Sequence, residues 1–252
     1  MAHKTVLITG ASRGIGLAIA RHLLQAPRSS QVVVTSRSAE PLEKLRAEFP
    51  EQVAVVAGDA TDPAIAAKAV STAVEKFGGL DGLVINHATL GEVKKVADSD
   101  ISSWRKDYEI NFFSAVEFVK AAIPHLRKSK GKIVFTSSGA AVKGYQGWGF
   151  YGSSKAAMNH LAMTLAREEA DIVSVAVRPG VVDTQMQVDI RGGHLEYMGE
   201  DGQRLKDAFT HGQLLKPEQP GNVIANLALD ATKDLSGKFL SWNDEILKSY
   251  QE

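Results

Sequence analysis

The chain has 252 residues, 44% of them hydrophobic, with 29 lysines and arginines balanced by 29 aspartates and glutamates and no cysteine. That length suits one α/β domain with a sizeable core, and the charge balance gives no field to draw a nucleic acid or an anionic membrane. The same charge balance makes a small molecule the expected partner; the missing thiols exclude disulfides, thiolate metal sites and a cysteine nucleophile, and no metal site is expected.

No apolar stretch approaches the roughly twenty residues of a membrane span, and Met1 passes into the strand-like Thr5-Val6-Leu7-Ile8-Thr9 too soon for a secretion signal. The expectation is a soluble, cytoplasmic protein. Short β-branched runs alternate with longer helical patterns, as in βαβ units around a parallel sheet. Seven strands are predicted near residues 4–9, 32–36, 53–57, 82–86, 131–136, 173–177 and 237–241. Most are continuous apolar runs, the pattern of strands covered by helices on both faces, so residues 1–252 are expected to form a single α/β domain with a doubly wound parallel sheet.

The first strand runs into Thr9-Gly10-Ala11-Ser12-Arg13-Gly14-Ile15-Gly16, with the amphipathic Leu17-Ala18-Ile19-Ala20 beyond it. Glycines there permit a tight turn and close backbone approach, while the following helix offers free N–H groups to a pyrophosphate, as in a Rossmann fold. Gly10, Ser12, Arg13 and Ile15 are the candidate contacts. About twenty residues on, where NAD sites place an acid for the ribose 2′-hydroxyl, the chain has Thr35-Ser36-Arg37-Ser38. Arg37 offers a planar fork for a 2′-phosphate and Arg13 can reach the same group, so the expected cofactor is NADP(H). Ser38 is the predicted N-cap of a helix running to about Glu48.

Ser138 precedes Tyr151 by thirteen residues, and Lys155 follows it by four. Positions i and i+4 share a helix face, so Lys155 can approach the phenol and favour release of its proton. Such a trio can polarise a carbonyl. The stretch from Ala156 to Leu165 reads as a helix buried all round. Between Ser138 and Tyr151 lies Gly144-Tyr145-Gln146-Gly147-Trp148-Gly149-Phe150, and aromatic walls suit a ring-bearing substrate. Tyr145 and Trp148, with Met186, are the candidate wall residues. Residues 185–212 show no clean periodicity and are expected to form an irregular substrate lid.

Five separated segments, spread over almost the whole length, make the chain resemble the short-chain dehydrogenase/reductase family. They are the Thr9–Gly16 turn, Gly58-Asp59-Ala60-Thr61, Ile110-Asn111-Phe112-Phe113, the Ser138, Tyr151 and Lys155 set, and Pro179-Gly180-Val181-Val182-Asp183-Thr184. The resemblance implies that Asp59 contacts the adenine and that Asn111 completes a catalytic tetrad, holding the lysine through a water. It also implies that Pro179, Val182 and Thr184 lie beside the nicotinamide, that Lys155 bonds the nicotinamide ribose, and that subunits pair as dimers, with the helix after Tyr151 in the contact. Asn86 is kept in Ile85-Asn86-His87-Ala88, but His87 and Ala88 replace the family's usual alanine and glycine.

Ser-Ser-Gly-Ala-Ala-Val-Lys at 137–143, the Gly147–Lys155 stretch, residues 179–187 and Trp242-Asn243-Asp244-Glu245 are similar to the fungal benzil reductases and, more distantly, to sepiapterin reductase. That likeness implies an NADPH-dependent carbonyl reductase acting on an aromatic α-diketone, with Tyr151 as general acid. Two other readings stand beside it: a non-catalytic dinucleotide sensor on the same fold, and an NAD-linked alcohol dehydrogenase. The complete tetrad argues against the first and Arg37 against the second.

Overall fold

The computed structural model describes residues 3–251. Seven strands, β1 (Thr5–Thr9), β2 (Gln31–Ser36), β3 (Val53–Ala57), β4 (Gly82–Ile85), β5 (Lys132–Thr136), β6 (Val173–Arg178) and β7 (Phe239–Ser241), form one sheet in the order β3-β2-β1-β4-β5-β6-β7. All pairs are parallel. Each strand lies within two residues of its predicted span, and the chain is a single doubly wound α/β domain of Rossmann type.

The pleat divides the core into two layers. Val6, Val32 and Val53 are register partners facing one side, as are Ile8 and Val34; they pack with Ile19 and Leu23 of α1 (Gly14–Leu24), Leu42 of α2 (Ala39–Glu48) and Ile224 and Leu227 of α9 (Glu218–Asp230). Leu7, Val33, Leu83 and Ile133 face the other side. There they meet Ala69 of α3 (Pro63–Phe77), Phe118 of α5 (Ser114–Ser129) and Met158 of α6 (Gly149–Glu168). Alternate side chains of one strand point to opposite faces, so a strand of solid apolar residues feeds both layers at once.

Strand order reverses between β1 and β4, and a crevice opens beyond the carboxyl ends of strands at such a point. Around it lie α4 (Ile101–Tyr108), the π-helical turn Glu109–Phe113, and two helices after β6, α7 (Gln185–Gly193) and α8 (Gly199–Thr210). These last two correct the expectation of an irregular 185–212 segment. Glycines at 192, 193, 199 and 202 obscure the helical period, but Ile190, Met198 and Leu205 are buried in a third cluster with Trp148, Phe150 and Tyr151. Burial of that one face makes helices of a sequence with weak local signals.

Two further expectations change. Ser38 does stand at the N-cap of α2, yet its side chain makes no cap bond; the Ser36 hydroxyl instead donates to the Ser38 carbonyl at 2.9 Å. The Ala156–Leu165 stretch is not buried all round: Met158, Ala162 and Leu165 face the sheet, while His160 is exposed and Met163 is 48% exposed. Among the described residues no helix is long and apolar enough to cross a membrane.

Candidate active site

Tyr151 and Lys155 occupy consecutive turns of α6 and are 7% and 2% exposed. The lysine Nζ donates to the Thr136 carbonyl at the end of β5 at 2.8 Å, faces Met158 Sδ at 3.7 Å, and sits 5.8 Å from the centre of the Tyr151 ring. Ser138, two residues beyond β5, stands beside the phenol and pulls its proton affinity down slightly, and its Oγ accepts the Ala140 N–H at 3.1 Å, which fixes its direction. The end of β5 and the start of α6 thus bring the predicted trio together.

Burial governs their protonation. The Tyr151 phenol is pushed up to about 12 by desolvation, against a smaller downward pull from Ser138. Desolvation brings the Lys155 ammonium down to about 8. The expected lowering of the phenol by its cationic neighbour does not hold here: desolvation dominates, and the only downward pull comes from Ser138. At neutral pH the phenol keeps its proton.

Asn111 is fully buried in the π-helical turn, where the Ser114 N–H bonds the Glu109 carbonyl five residues back. Its Oδ1 accepts the Thr89 N–H at 2.8 Å, and its Nδ2 donates to the Thr89 carbonyl at 2.9 Å and to Ser154 Oγ at 3.3 Å. The amide is spent on the loop after β4, so any part Asn111 takes in a relay falls to its main chain. Single-turn π-bulges recur at functional sites. Sequence reasoning missed this turn, along with Thr89, Ser154 and Thr136, since no local signal marks a one-residue slip of the helical ladder.

The candidate cofactor contacts line the crevice. Gly10 has φ +66°, and a Cβ there would stand 2.8 Å from the His87 Cα. Gly14 has φ +54°, and its Cβ would lie 3.1 Å from Thr184 Cγ2, which places the 179–184 segment against the glycine turn. Ser12 and Ile15 are half-buried, and Arg13 and Arg37 are exposed. Neither arginine makes a salt bridge among the described residues. No side chain caps α1 and its first turn holds no acid, which leaves its N–H groups to an anion. Asn86 ties the turn to β5: its Nδ2 donates to the Gly10 carbonyl at 3.2 Å and its Oδ1 accepts from Thr136 at 3.2 Å.

Asp59 is exposed and accepts from the Thr61 N–H and hydroxyl at 3.0 and 2.9 Å; these bonds, with a smaller influence from Arg37, hold its carboxyl below the usual range. Pro179 and Val182 are buried, and the loop leaving β6 is anchored where the Leu215 N–H donates to the Val181 carbonyl at 2.9 Å.

The candidate wall residues behave differently from one another. Trp148, 8% exposed, packs edge-on against Tyr151 at 5.3 Å, and its Nε1 has no hydrogen-bond partner among the described residues. Met186 is half-buried against the same cluster. Tyr145 lies 5.2 Å from Trp148 but also has Lys143 Nζ at 5.0 Å and Arg204 Cζ at 5.3 Å over its ring, and Asp201 stands 3.7 and 3.6 Å from those two cations. It clamps α8 to the loop before α6, a role that its sequence neighbours do not reveal. An open cavity of about 490 Å³ lined by Lys94, Lys95, Asp98, Gln146, Glu196 and Tyr197 has none of the tetrad on its wall.

Comparison with known proteins agrees with this geometry. The family model of the short chain dehydrogenases matches residues 4–194. An uncharacterized oxidoreductase of Schizosaccharomyces pombe is 48% identical over 248 residues, 97% of this chain and 98% of that one. A benzil reductase ((S)-benzoin forming) of Saccharomyces cerevisiae is 39% identical over 264 residues, 98% and 99% of the two chains. The crystal structure of a Saccharomyces cerevisiae short chain dehydrogenase/reductase superposes with a TM-score of 0.96 at 40% identity, covering 99% of this chain and all of the other. With the glycine turn, the Ser138, Tyr151 and Lys155 cluster and these matches in agreement, the chain belongs to the short chain dehydrogenase family of oxidoreductases.

Proposed function

We propose that the chain is an NADPH-dependent carbonyl reductase whose preferred substrates are aromatic α-diketones of the benzil type, with Tyr151 as general acid. The observation that carries this reading is the buried, protonated Tyr151 phenol beside Ser138, packed edge-on by Trp148, with the Lys155 ammonium 5.8 Å from its ring centre. A general acid must hold its proton until charge develops on the substrate, and a phenol pushed up to about 12 does so at neutral pH. The 39% identity to a benzil reductase over nearly the full chain supports the diketone class.

The residues present fit the cofactor. Side-chain-free turn positions, the uncapped start of α1 and two exposed arginines without salt-bridge partners among the described residues match a dinucleotide carrying a 2′-phosphate, and no acid stands at the position of Arg37. Gly10, Ser12 and Ile15 would hold the pyrophosphate side, Arg37 and Arg13 the 2′-phosphate, Asp59 and Asn86 the adenosine edge, and Pro179, Val182 and Thr184 the nicotinamide side. When bound, the reduced nicotinamide supplies the hydride.

Ser138 donates to the carbonyl oxygen and stabilises its growing negative charge, while Tyr151 gives the same oxygen its proton. Lys155 spends one N–H on Thr136 and turns another toward Met158, leaving the third for a ribose hydroxyl or for the phenolate as it forms. Asn111, through its main chain, extends the relay that returns a proton to Tyr151. The α7–α8 flap is read as the substrate lid, pinned by the Tyr145 clamp, and the exposed Met163 side of α6 as part of a homodimer contact in a cytoplasmic enzyme.

The test is steady-state oxidation of NADPH and of NADH by purified protein across benzil, other aromatic diketones, quinones, pterins and small aliphatic ketones. Rapid NADPH consumption with benzil, and a much slower rate with NADH, is the expected result. Tight NADPH binding without turnover on any carbonyl would favour a dinucleotide sensor instead.

A further inference from the structure

His87, which stands where the family usually has alanine, turns its ring inward between the ends of β1 and β4 and the start of α5. Its Nδ1 lies 2.7 Å from Thr9 Oγ1 and its Nε2 lies 2.7 Å from Ser114 Oγ. The partners at both ends specify the same tautomer. Thr9 Oγ1 accepts the N–H groups of Asn86 at 2.9 Å and His87 at 3.3 Å, and its one proton lies between the Val84 carbonyl at 3.2 Å and Nδ1 at 2.7 Å; the shorter contact takes it, and Nδ1 is the acceptor. Ser114 donates its own proton to the Ile110 carbonyl at 2.6 Å, so its oxygen is left to accept Nε2–H. Burial, with the nearby Lys155 charge, brings the imidazole down to about 4, and the ring is neutral where the protein works.

The two partners belong to the two halves of the site. Thr9 closes β1 and opens the glycine turn, whose Gly10 packs on the His87 backbone. Ser114 begins α5 directly after the π-helical turn that holds Asn111, and Thr89, two residues beyond His87, clasps the Asn111 amide. We infer that His87 is a positioning residue with two separable arms: Nδ1 sets the glycine turn for the dinucleotide, and Nε2, through Ser114 and the Ile110 carbonyl, sets the π-turn that presents Asn111 to the tetrad. The inference rests on the carbonyl-reductase reading only for its turnover readout.

Amide side chains separate the arms. An asparagine carries its polar atoms at the Nδ1 level and a glutamine at the Nε2 level, so His87→Asn keeps the Thr9 arm and His87→Gln keeps the Ser114 arm. Ser114→Ala removes the second arm from its other end. The experiment measures NADPH dissociation constants by fluorescence titration, kcat with benzil, and amide hydrogen exchange over residues 9–14 and 108–115 in these three variants and the parent protein.

Loss of one hydrogen bond predicts, for His87→Gln, NADPH binding weaker by about tenfold with kcat within about twofold of the parent, and faster exchange over 9–14. His87→Asn and Ser114→Ala are expected to show the reverse, with kcat down about tenfold, NADPH binding nearly unchanged, and faster exchange over 108–115. Asparagine and glutamine variants that lose the same properties in the same proportion, or three variants that match the parent, would overturn the inference. A parent protein that binds NADPH but does not turn over benzil counts against the proposed function alone, and the binding and exchange contrasts then decide this question.

Discussion

Lys155 holds its Nζ 5.8 Å from the ring centre of Tyr151 while donating to the Thr136 carbonyl at 2.8 Å. One hydrogen bond to the end of β5 therefore sets where the cation stands over the phenol. The helix spacing brings the two residues to one face, and the strand end decides the distance.

Replacing Tyr151 by Phe keeps the aromatic contact with Trp148 and removes only the proton donor. Turnover is expected to fall by about 10²- to 10⁴-fold, the usual range for a lost general acid, with NADPH affinity unchanged. Stopped-flow reduction of benzil together with fluorescence titration of NADPH checks both halves.

The Lys155 ammonium, brought down to about 8 by burial, makes activity and stability respond oppositely to pH. The folded state holds the charged lysine below about pH 8, so reductive kcat should be level there and decline as pH rises further. The unfolded lysine keeps its proton up to its ordinary value of 10.5, so between about pH 8 and 10.5 unfolding takes up a proton and stability rises with pH, by at most ~1.4 kcal/mol per pH unit. Urea midpoints at pH 7.5 and 9.5 test this, and Lys155→Met should remove that contribution.

Arg37→Ala should weaken NADPH by roughly 10- to 100-fold, the worth of a charged hydrogen bond at about 1.5–3 kcal/mol, and leave NADH nearly untouched. Equal losses for the two nucleotides would mean that Arg37 does not meet the 2′-phosphate.

Trp148 is packed on the reactive phenol, so Trp148→Ala is expected to erase most of any preference for benzil over a small aliphatic ketone. The ratio of kcat/KM for the two substrates in one preparation checks this independently of any loss of folded protein. A preserved ratio would show that the indole is packing alone.

Gly10→Ala puts a methyl group 2.8 Å from the His87 Cα in a left-handed conformation. The conformation alone costs ~1–2 kcal/mol, which for a chain of this size lowers Tm by about 2–8 °C before the clash is counted. Differential scanning calorimetry with an NADPH titration should show both a lower Tm and weaker binding.

The first six strands were legible because, from Val6-Leu7-Ile8 to Val173-Ser174-Val175, they are largely buried runs bounded by turn residues, and solid runs are what a doubly covered sheet requires, while β7 at the sheet edge is half-buried. The glycine turn and the clustering of Tyr151 with Lys155 were legible for a similar reason: they depend on residue type and near spacing. The α7 and α8 helices were not, because their glycines hide the period and the evidence for them is the burial of Ile190 and Leu205 under Trp148. Tyr145 shows the same limit, since the cation on one side of its ring, Arg204, is 59 residues away.

By itself the amino-acid order determined the layered α/β architecture and pointed to the candidate site residues, since periodicity and functional-group chemistry are local properties. The tertiary structure alone decided the burial of Tyr151, the two hydroxyl partners of the His87 ring and the π-turn around Asn111. Each of these follows from which atoms of distant segments close around a buried polar group and exclude water, and desolvation is a property of packing that no single stretch of chain carries.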